Sequence, residues 1–334
     1  MILITGGTGF LGKYIVQHLH NEGYPLRLFV QDINHPLIKT FPKNIEIIEG
    51  NILDITTLEK TFEEIEYVVH SAAMVGMSKN KQSEMRAVNE TGTENIANLC
   101  IDFNIKKLVH ISSSAALGRT LDSRLRGNDE RMITEQNKFS HDKENSYYGY
   151  TKYLAEKQIH RGVAEGLNAV QICPAVILGN GSWWGGTRNI FQTIHKRMPF
   201  YPPGSNGFIY APDVAKAIAI LLKSNLSQGE KFILSAETIP YHSLFDQIAT
   251  ALNRSKPTFP LPKIPAFIFA YLNQYISTLT QSEPSITPQT VQTAFSHYPY
   301  SGERFAKTFN FQYTPIQQAI IEIAKKFLHP NPQI

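Results

Sequence analysis

Tyr148 and Lys152 stand four residues apart in the run Tyr147-Tyr148-Gly149-Tyr150-Thr151-Lys152. On a helix that spacing puts both side chains on one face, one turn apart. Such a pair suits proton transfer at an oxygen. A free phenol ionises near pH 10, too high for a good base near neutrality. A neighbouring ammonium favours phenolate and lowers that value. The same spacing also arises where a ring packs and a lysine reaches solvent, so other residues must decide. Tyr147 and Tyr150 have no lysine four residues on, and read as packing or pocket-lining residues.

A reason to move a proton comes from the N-terminus. Gly6, Gly9 and Gly12 recur at every third position between an apolar run, Ile2 to Thr5, and the helical spacing of Tyr14, Ile15, Val16 and Leu19. A tight turn, close backbone approach to a pyrophosphate and helix–sheet packing all demand glycine there. The following helix start offers free N–H groups and partial positive charge. Gly6-Gly7-Thr8-Gly9-Phe10-Leu11-Gly12 is therefore the expected dinucleotide cradle. A nicotinamide exchanges hydride with carbon, so a proton must move at the attached oxygen. Tyr148 would move it, Lys152 would also hold the nicotinamide ribose, and a serine of Ser112-Ser113-Ser114 would polarise the oxygen.

The second apolar strand ends Leu28-Phe29-Val30-Gln31-Asp32. An acid at that place binds ribose hydroxyls, and an arginine accepts a 2′-phosphate. Asp32 could take the ribose role and Gln31 carries no charge, which leaves NAD or NADP open. Asn51, Ile52 and Asp54 follow the third strand and approach the adenine; Asp54 could equally cap a helix.

Expected strands are Ile2 to Thr5, Leu26 to Val30, Ile45 to Ile48, Tyr67 to His70, Lys107 to Ile111, and Ala169 to Cys173, stopped by Pro174. Helical patterns fall between them: up to Gly23, Leu58 to Ile65, Val88 to Phe103, and Tyr148 to Glu165. The alternation predicts an α/β fold, a Rossmann-type doubly wound parallel sheet, with right-handed crossovers. Ligands sit beyond the carboxyl ends of such strands. The glycine loop, Ser71-Ala72-Ala73, Ser112 to Ser114 and Pro174 would all meet there.

After residue 175 glycine, proline and aromatics dominate, and a smaller, mostly helical C-terminal substrate lobe is expected. Residues 1–175 would form the dinucleotide-binding domain, with 208–235 returning to it. Residues 176–207 and 236–330 would form the substrate lobe. Trp183, Trp184, Phe200, Phe208 and Tyr210 suit an apolar or ring-bearing substrate, although at least half of the aromatics should be core. Ser113, Ser114 and Trp183 are the candidate substrate contacts. Ile264 to Leu272 reads as a helix with an aromatic face, too short to span a bilayer, with a monotopic contact as the alternative. Thr120 to Arg131, TLDSRLRGNDER, is either a solvated loop or the translated product of an inserted repeat element; both predict a surface excursion without chemistry.

Bulk properties exclude other classes. The net charge of +4 is spread along 334 residues, too weak and dispersed to argue for nucleic acid, although it would not repel an anionic substrate; the expected partner is a small-molecule substrate. Cys100 and Cys173 lack metal-site spacing, as do His70, His110, His195 and His297, so no metal is expected. Reduced thiols and the absence of a basic n-region at Met1-Ile2-Leu3-Ile4 predict a cytoplasmic protein without stable membrane insertion.

These residues resemble the extended short-chain dehydrogenase/reductase family over most of the chain. Thr5 to Gly12 looks like its nucleotide loop, His70 to Ala73 its fourth-strand motif, and Ile111 to Gly118 the strand carrying its catalytic serine. Val88-Asn89-Glu90-Thr91-Gly92-Thr93 resembles the helix whose asparagine supports the active site. The resemblance implies Ser113, Tyr148, Lys152 and Asn89 as catalytic residues. It implies Ile111, Ser112, Pro174 and Val176 as cofactor neighbours, together with the glycine loop, Gln31, Asp32, Asn51, Ile52, Ser71, Ala72 and Ala73. Homodimers through the helices Val88 to Phe103 and Tyr148 to Glu165 are common in the family. Within it, the chain is similar to the branch of dihydroflavonol reductases and NAD-dependent epimerase/dehydratase proteins. Epimerases of nucleotide sugars commonly carry an arginine where Phe208 stands, and the reductases one where Gln31 stands. The first reading is a ketone/secondary-alcohol oxidoreductase. The second is an NAD(P)-dependent sugar epimerase or dehydratase using the same residues. The third, a cofactor-binding sensor without turnover, is opposed by the intact Ser113, Tyr148 and Lys152.

Overall fold

The computed structural model describes residues 1–76, 78–118, 132–140, 145–180, 188–226, 228–280 and 282–329. The segment Thr120 to Arg131, Trp183 and Trp184 lie outside them. The first half runs β1 (Ile2–Thr5), α1 (Gly12–Asn21), β2 (Leu26–Val30), β3 (Glu46–Glu49), α2 (Ile55–Glu59) and β4 (Tyr67–His70). It continues through α3 (Gln82–Arg86), α4 (Gly92–Asp102), β5 (Lys107–Ile111), α5 (Tyr147–Ala164) and β6 (Ala169–Pro174). Then come β7 (Val176–Leu178), α6 (Arg188–His195), β8 (Phe200–Tyr201), β9 (Ser205–Tyr210), α7 (Ala211–Lys223) and β10 (Lys231–Leu234). The chain ends with β11 (Glu237–Pro240), α8 (Tyr241–Ala251), β12 (Phe259–Pro260), α9 (Lys263–Leu279), α10 (Pro288–Phe295), β13 (His297–Tyr298), α11 (Glu303–Phe309) and α12 (Ile316–Leu328).

Seven parallel strands form one sheet in the order β3-β2-β1-β4-β5-β6-β10. The order reverses at β1, beside β4, where a doubly wound sheet opens its crevice. Strands β1, β2, β5 and β6 are buried at every residue, as expected of strands covered on both faces. Alternate side chains serve opposite layers. Ile2 and Ile4 join Ile15, Leu19, Val214 and Ile218 of α1 and α7, whereas Leu3 joins Ile96, Leu99 and Ile159 of α4 and α5.

Three elements depart from the sequence pattern. Helix α2 begins at Ile55, not Leu58, because the Asp54 carboxylate accepts from Thr56 N and caps it there. The helix expected over Val88 to Phe103 is interrupted by a π-turn at Ala87–Thr91. The later chain is helical but also carries a second sheet: β11, β9 and β13 in sequence of pairing, with β7 also on β9. Strand β9 reads Ser205-Asn206-Gly207-Phe208-Ile209-Tyr210 and has no apolar alternation, so only its tertiary partners make it a strand.

Candidate active site

The glycine loop closes on itself through Gly9 N–H donating to Gly6 O at 3.0 Å. Gly6 sits at φ 73°, where a Cβ would lie 2.6 Å from Ala72 N. At Gly12 a Cβ would meet Gly6 O at 2.0 Å. Side chains at either position would push the loop off the ends of β1 and β4. Gly7 instead packs on Leu28, and Leu11 precedes α1 as a buried residue. Phe10 turns to Gly179 and to the edge of Tyr14.

A cleft of about 410 Å³ opens above this loop. Of the expected residues, Gly6, Thr8, Gly9, Gln31, Asn51, Ile52, Ser71, Ala72 and Ala73 line it. Sequence reasoning missed Phe29, Val30, Gly50, Met74, Glu84 and Val88. Glu84 is the one charged lining side chain among the described residues. Its signal was absent because α3 joins the cleft only through the chain reversal after β4. Asp32 does not line the cleft: its carboxylate accepts from Asn34 N at 2.8 Å and closes a local turn. The glycine cradle and the elongated cleft fit a dinucleotide, with backbone N–H groups at the start of α1 available to phosphate.

A second cavity of about 620 Å³ lies beyond Met74-Val75 and contains Ser113, Ser114, Tyr148 and Val176. Helix α5 is set against the Ser113 turn at close range. Ser146 Oγ accepts from Gly149 N at 2.8 Å and starts the helix. A Cβ at Gly149 would lie 2.3 Å from Ala115 O, so this glycine allows the approach. Tyr148 and Ser113 consequently line the same cavity. Ser113 Oγ accepts from Ala115 N at 3.1 Å, which leaves its hydrogen for an oxygen in the cavity.

Burial pushes the Tyr148 phenol up to about 12, partly offset by the Ser113 side chain. Lys152 is 1% exposed and donates from Nζ to Ile111 O at 2.8 Å. Burial brings its ammonium down to about 8, against the raising effect of Glu156 and Cys173. The expected acidification of Tyr148 by Lys152 is therefore not what dominates here; desolvation is larger.

Ser112 turns away from the crevice and donates to the buried Glu156 Oε1 at 2.5 Å. Ile111 contributes its carbonyl to Lys152, and Pro174 ends β6 in register with Leu234. Phe208 is core, edge-on to Tyr241, and Tyr210 donates to Glu322.

Asn89 lies in the π-turn and is 1% exposed. Its Oδ1 accepts from Met74 N at 2.7 Å, and its Nδ2 donates to Met74 O and to Thr151 Oγ1. It thus ties the cleft wall to the residue before Lys152. His70 extends this tie. Thr93 Oγ1 donates to Asn89 O, so it accepts from His70 Nε2–H, and Thr5 Oγ1 donates to His70 Nδ1. Burial and the Lys152 charge hold His70 down at about 3, so the imidazole is neutral. Sequence reasoning treated His70 as structural and did not find this link, since its partners lie 23 and 65 residues away.

Tyr14 supplies another unforeseen contact, donating to Asn180 O and accepting from Asn180 N at 2.7 Å. Lys13 Nζ donates to the same carbonyl, which fastens the segment after β7 to α1.

The family model described as the NAD dependent epimerase/dehydratase family matches residues 2–234. A Synechocystis sp. protein provisionally named dihydroflavonol 4-reductase is 23% identical, over 97% of this chain and 93% of its own. The Mus musculus sterol-4-alpha-carboxylate 3-dehydrogenase, decarboxylating, is 25% identical, over 98% and 90%. The crystal structure of the Thermus thermophilus UDP-glucose 4-epimerase in complex with NAD superimposes with a TM-score of 0.76 at 18% identity, covering 99% of both chains.

Proposed function

The chain belongs to the NAD-dependent epimerase/dehydratase family, and from that premise we propose that it interconverts a neutral ketone and its secondary alcohol. The carrying observation is the cavity beside Tyr148. Its lining mixes Val75, Met85, Val176 and tyrosine rings with uncharged polar groups such as Gln82, Asn206, Gln274 and Gln289, and holds no Asp, Glu, Lys, Arg or His among the described residues. A nucleoside diphosphate would need cations there; a neutral ring or chain needs apolar walls and a few polar groups.

Residues 1–175 bind the dinucleotide, and the substrate lies between Ser113, Tyr147 and Tyr148 of that part and Asn206, Tyr241 and Tyr271 of the later chain. Bound nicotinamide supplies or accepts the hydride at carbon. Tyr148, protonated at neutrality, gives its proton to the carbonyl oxygen during reduction. Ser113 donates a hydrogen bond to that oxygen and polarises it. The resulting phenolate is stabilised by the Lys152 ammonium. Asn89 positions Lys152 through Thr151. NAD is preferred over NADP, because Glu84 would repel a 2′-phosphate and no described cation lines the cleft. The buried free thiols Cys100 and Cys173 support a reducing, cytoplasmic setting.

The test is a panel of neutral ring ketones and nucleotide sugars with added NADH, followed at the nicotinamide absorbance. Steady consumption with a ketone is expected. Epimerisation of a nucleotide sugar without net cofactor change would replace this reading with that of an epimerase.

A further inference from the structure

Helix α9 is amphipathic in the reverse sense. It packs against α10, and its inward side carries small or polar residues: Ala270 and Ser277 are buried, and Asn273 accepts from Ile286 N. Its outward side holds Ile264, Ile268, Phe269, Leu272, Ile276 and Leu279, each more than half exposed. Tyr271 and Tyr275, 62% and 65% exposed, sit among them. At 3.6 residues per turn these eight side chains span an arc of roughly 160°. Within the 17 residues of α9 the sole charge is Lys263.

The surface continues past the helix start. Phe259 on β12 is paired with Phe200 on β8, and both rings are exposed. Cations border this patch: Lys196 and Arg197 precede Met198 and Phe200, and Lys263 follows Phe259, while Lys256 is paired with Asp246 and Arg254 with His195. The sequence has no Asp or Glu from residue 247 to residue 282. A second copy meeting this face through a two-fold axis would bring cations together without a carboxylate. An anionic lipid surface supplies the missing charge and accepts the apolar arc. No helix of the described residues is long and apolar enough to cross a membrane, so the contact is one of lying on it.

Tyr271 and Gln274 of α9 also line the cavity that holds Tyr148. The helix is at once the cavity's wall and the apolar outer surface. We propose that α9, with Phe200 and Phe259, seats the protein on an anionic bilayer and that the substrate cavity admits a lipophilic ketone from that side. The docking surface stands on exposure and charge alone; the route of entry rests on the ketone reading above.

Flotation of the full chain with vesicles of phosphatidylcholine and phosphatidylglycerol, against phosphatidylcholine alone, tests the surface. Co-flotation with the anionic vesicles, weakened by salt, is expected. The triple variant I268Q/L272Q/I276Q should lose partitioning by more than about tenfold while binding NADH as before, since these side chains face away from the fold. K196Q/K263Q should lose the preference for anionic lipid and keep the apolar term. Wild-type protein that stays soluble with both vesicles would overturn the proposal. So would a wild-type dimer that the triple variant converts to monomer, which would make the face a protein interface. Turnover of a vesicle-borne ketone should fall in the triple variant while that of a water-soluble ketone is unchanged. Flotation without turnover of any ketone would retain the docking surface and remove the catalytic reading.

Discussion

Tyr148 lines the substrate cavity and Lys152 is buried one helical turn on, and removal from water sets both proton affinities. The phenol is raised to about 12 and the ammonium lowered to about 8. Tyr148 thus keeps its proton at neutrality, and in the proposed reduction it would serve as the acid. Tyr148→Phe should lower ketone turnover by about a hundredfold or more while NADH still binds, as fluorescence titration can show. The Lys152 value gives a sign for pH dependence. A base lowered by burial is cationic only below its shifted value, so the charge that stabilises the phenolate is lost as pH rises through about 8. Reduction should decline across that range, and Lys152→Arg should move the decline upward. An unmoved alkaline limb in Lys152→Arg would detach it from this residue. At the same scale, Ser112 and Ser113 are indistinguishable as letters. Their separation into an interior partner of Glu156 and a cavity hydroxyl follows from alternation at the end of β5.

Elements bring these residues within reach by close backbone contacts that glycine permits. The β1-loop-α1 unit holds Gly12 against Gly6 O, and α5 rests Gly149 on Ala115 O. Gly12→Ala would place a methyl 2.0 Å from a carbonyl oxygen, a clash with backbone that no rotamer relieves. NADH affinity should fall at least about tenfold, with a lowered Tm; wild-type affinity would mean that the loop does not carry the phosphates. The π-turn at Ala87–Thr91 widens the helix where Asn89 reaches both Met74 and Thr151. A regular helix over Val88 to Phe103, as the apolar spacing suggests, would present Asn89 differently, because one extra residue per turn rotates the face.

Across the whole molecule, both cavities are made by segments far apart in sequence. The dinucleotide cleft takes its walls from the end of β2, the turn after β3, the other strand ends and α3, and only this assembly brings Glu84 and Gln31 to one cleft. Replacing the pair, Q31R/E84K, should raise the kcat/KM ratio of NADPH to NADH by about tenfold or more; no change would show that neither side chain reaches the ribose. The substrate cavity collects Ser113, Tyr148, Tyr241, Tyr271 and Thr290 from well-separated parts of the chain.

Much of this was legible before any coordinates. The glycine spacing, the alternation of apolar runs and the Tyr148–Lys152 interval are local, and local geometry has one reading: a 3.6-residue turn puts residues four apart on one face, and a parallel strand buried on both sides is apolar throughout. Solvent exclusion and long-range pairing are not local. They decided the height of the Tyr148 proton affinity, the strand character of Ser205–Tyr210, the local turn that occupies Asp32, the chain of hydrogen bonds from Thr5 through His70 to Asn89, and the outward face of α9. Each depends on what the rest of the chain places alongside, since burial and partner choice are properties of the packed whole.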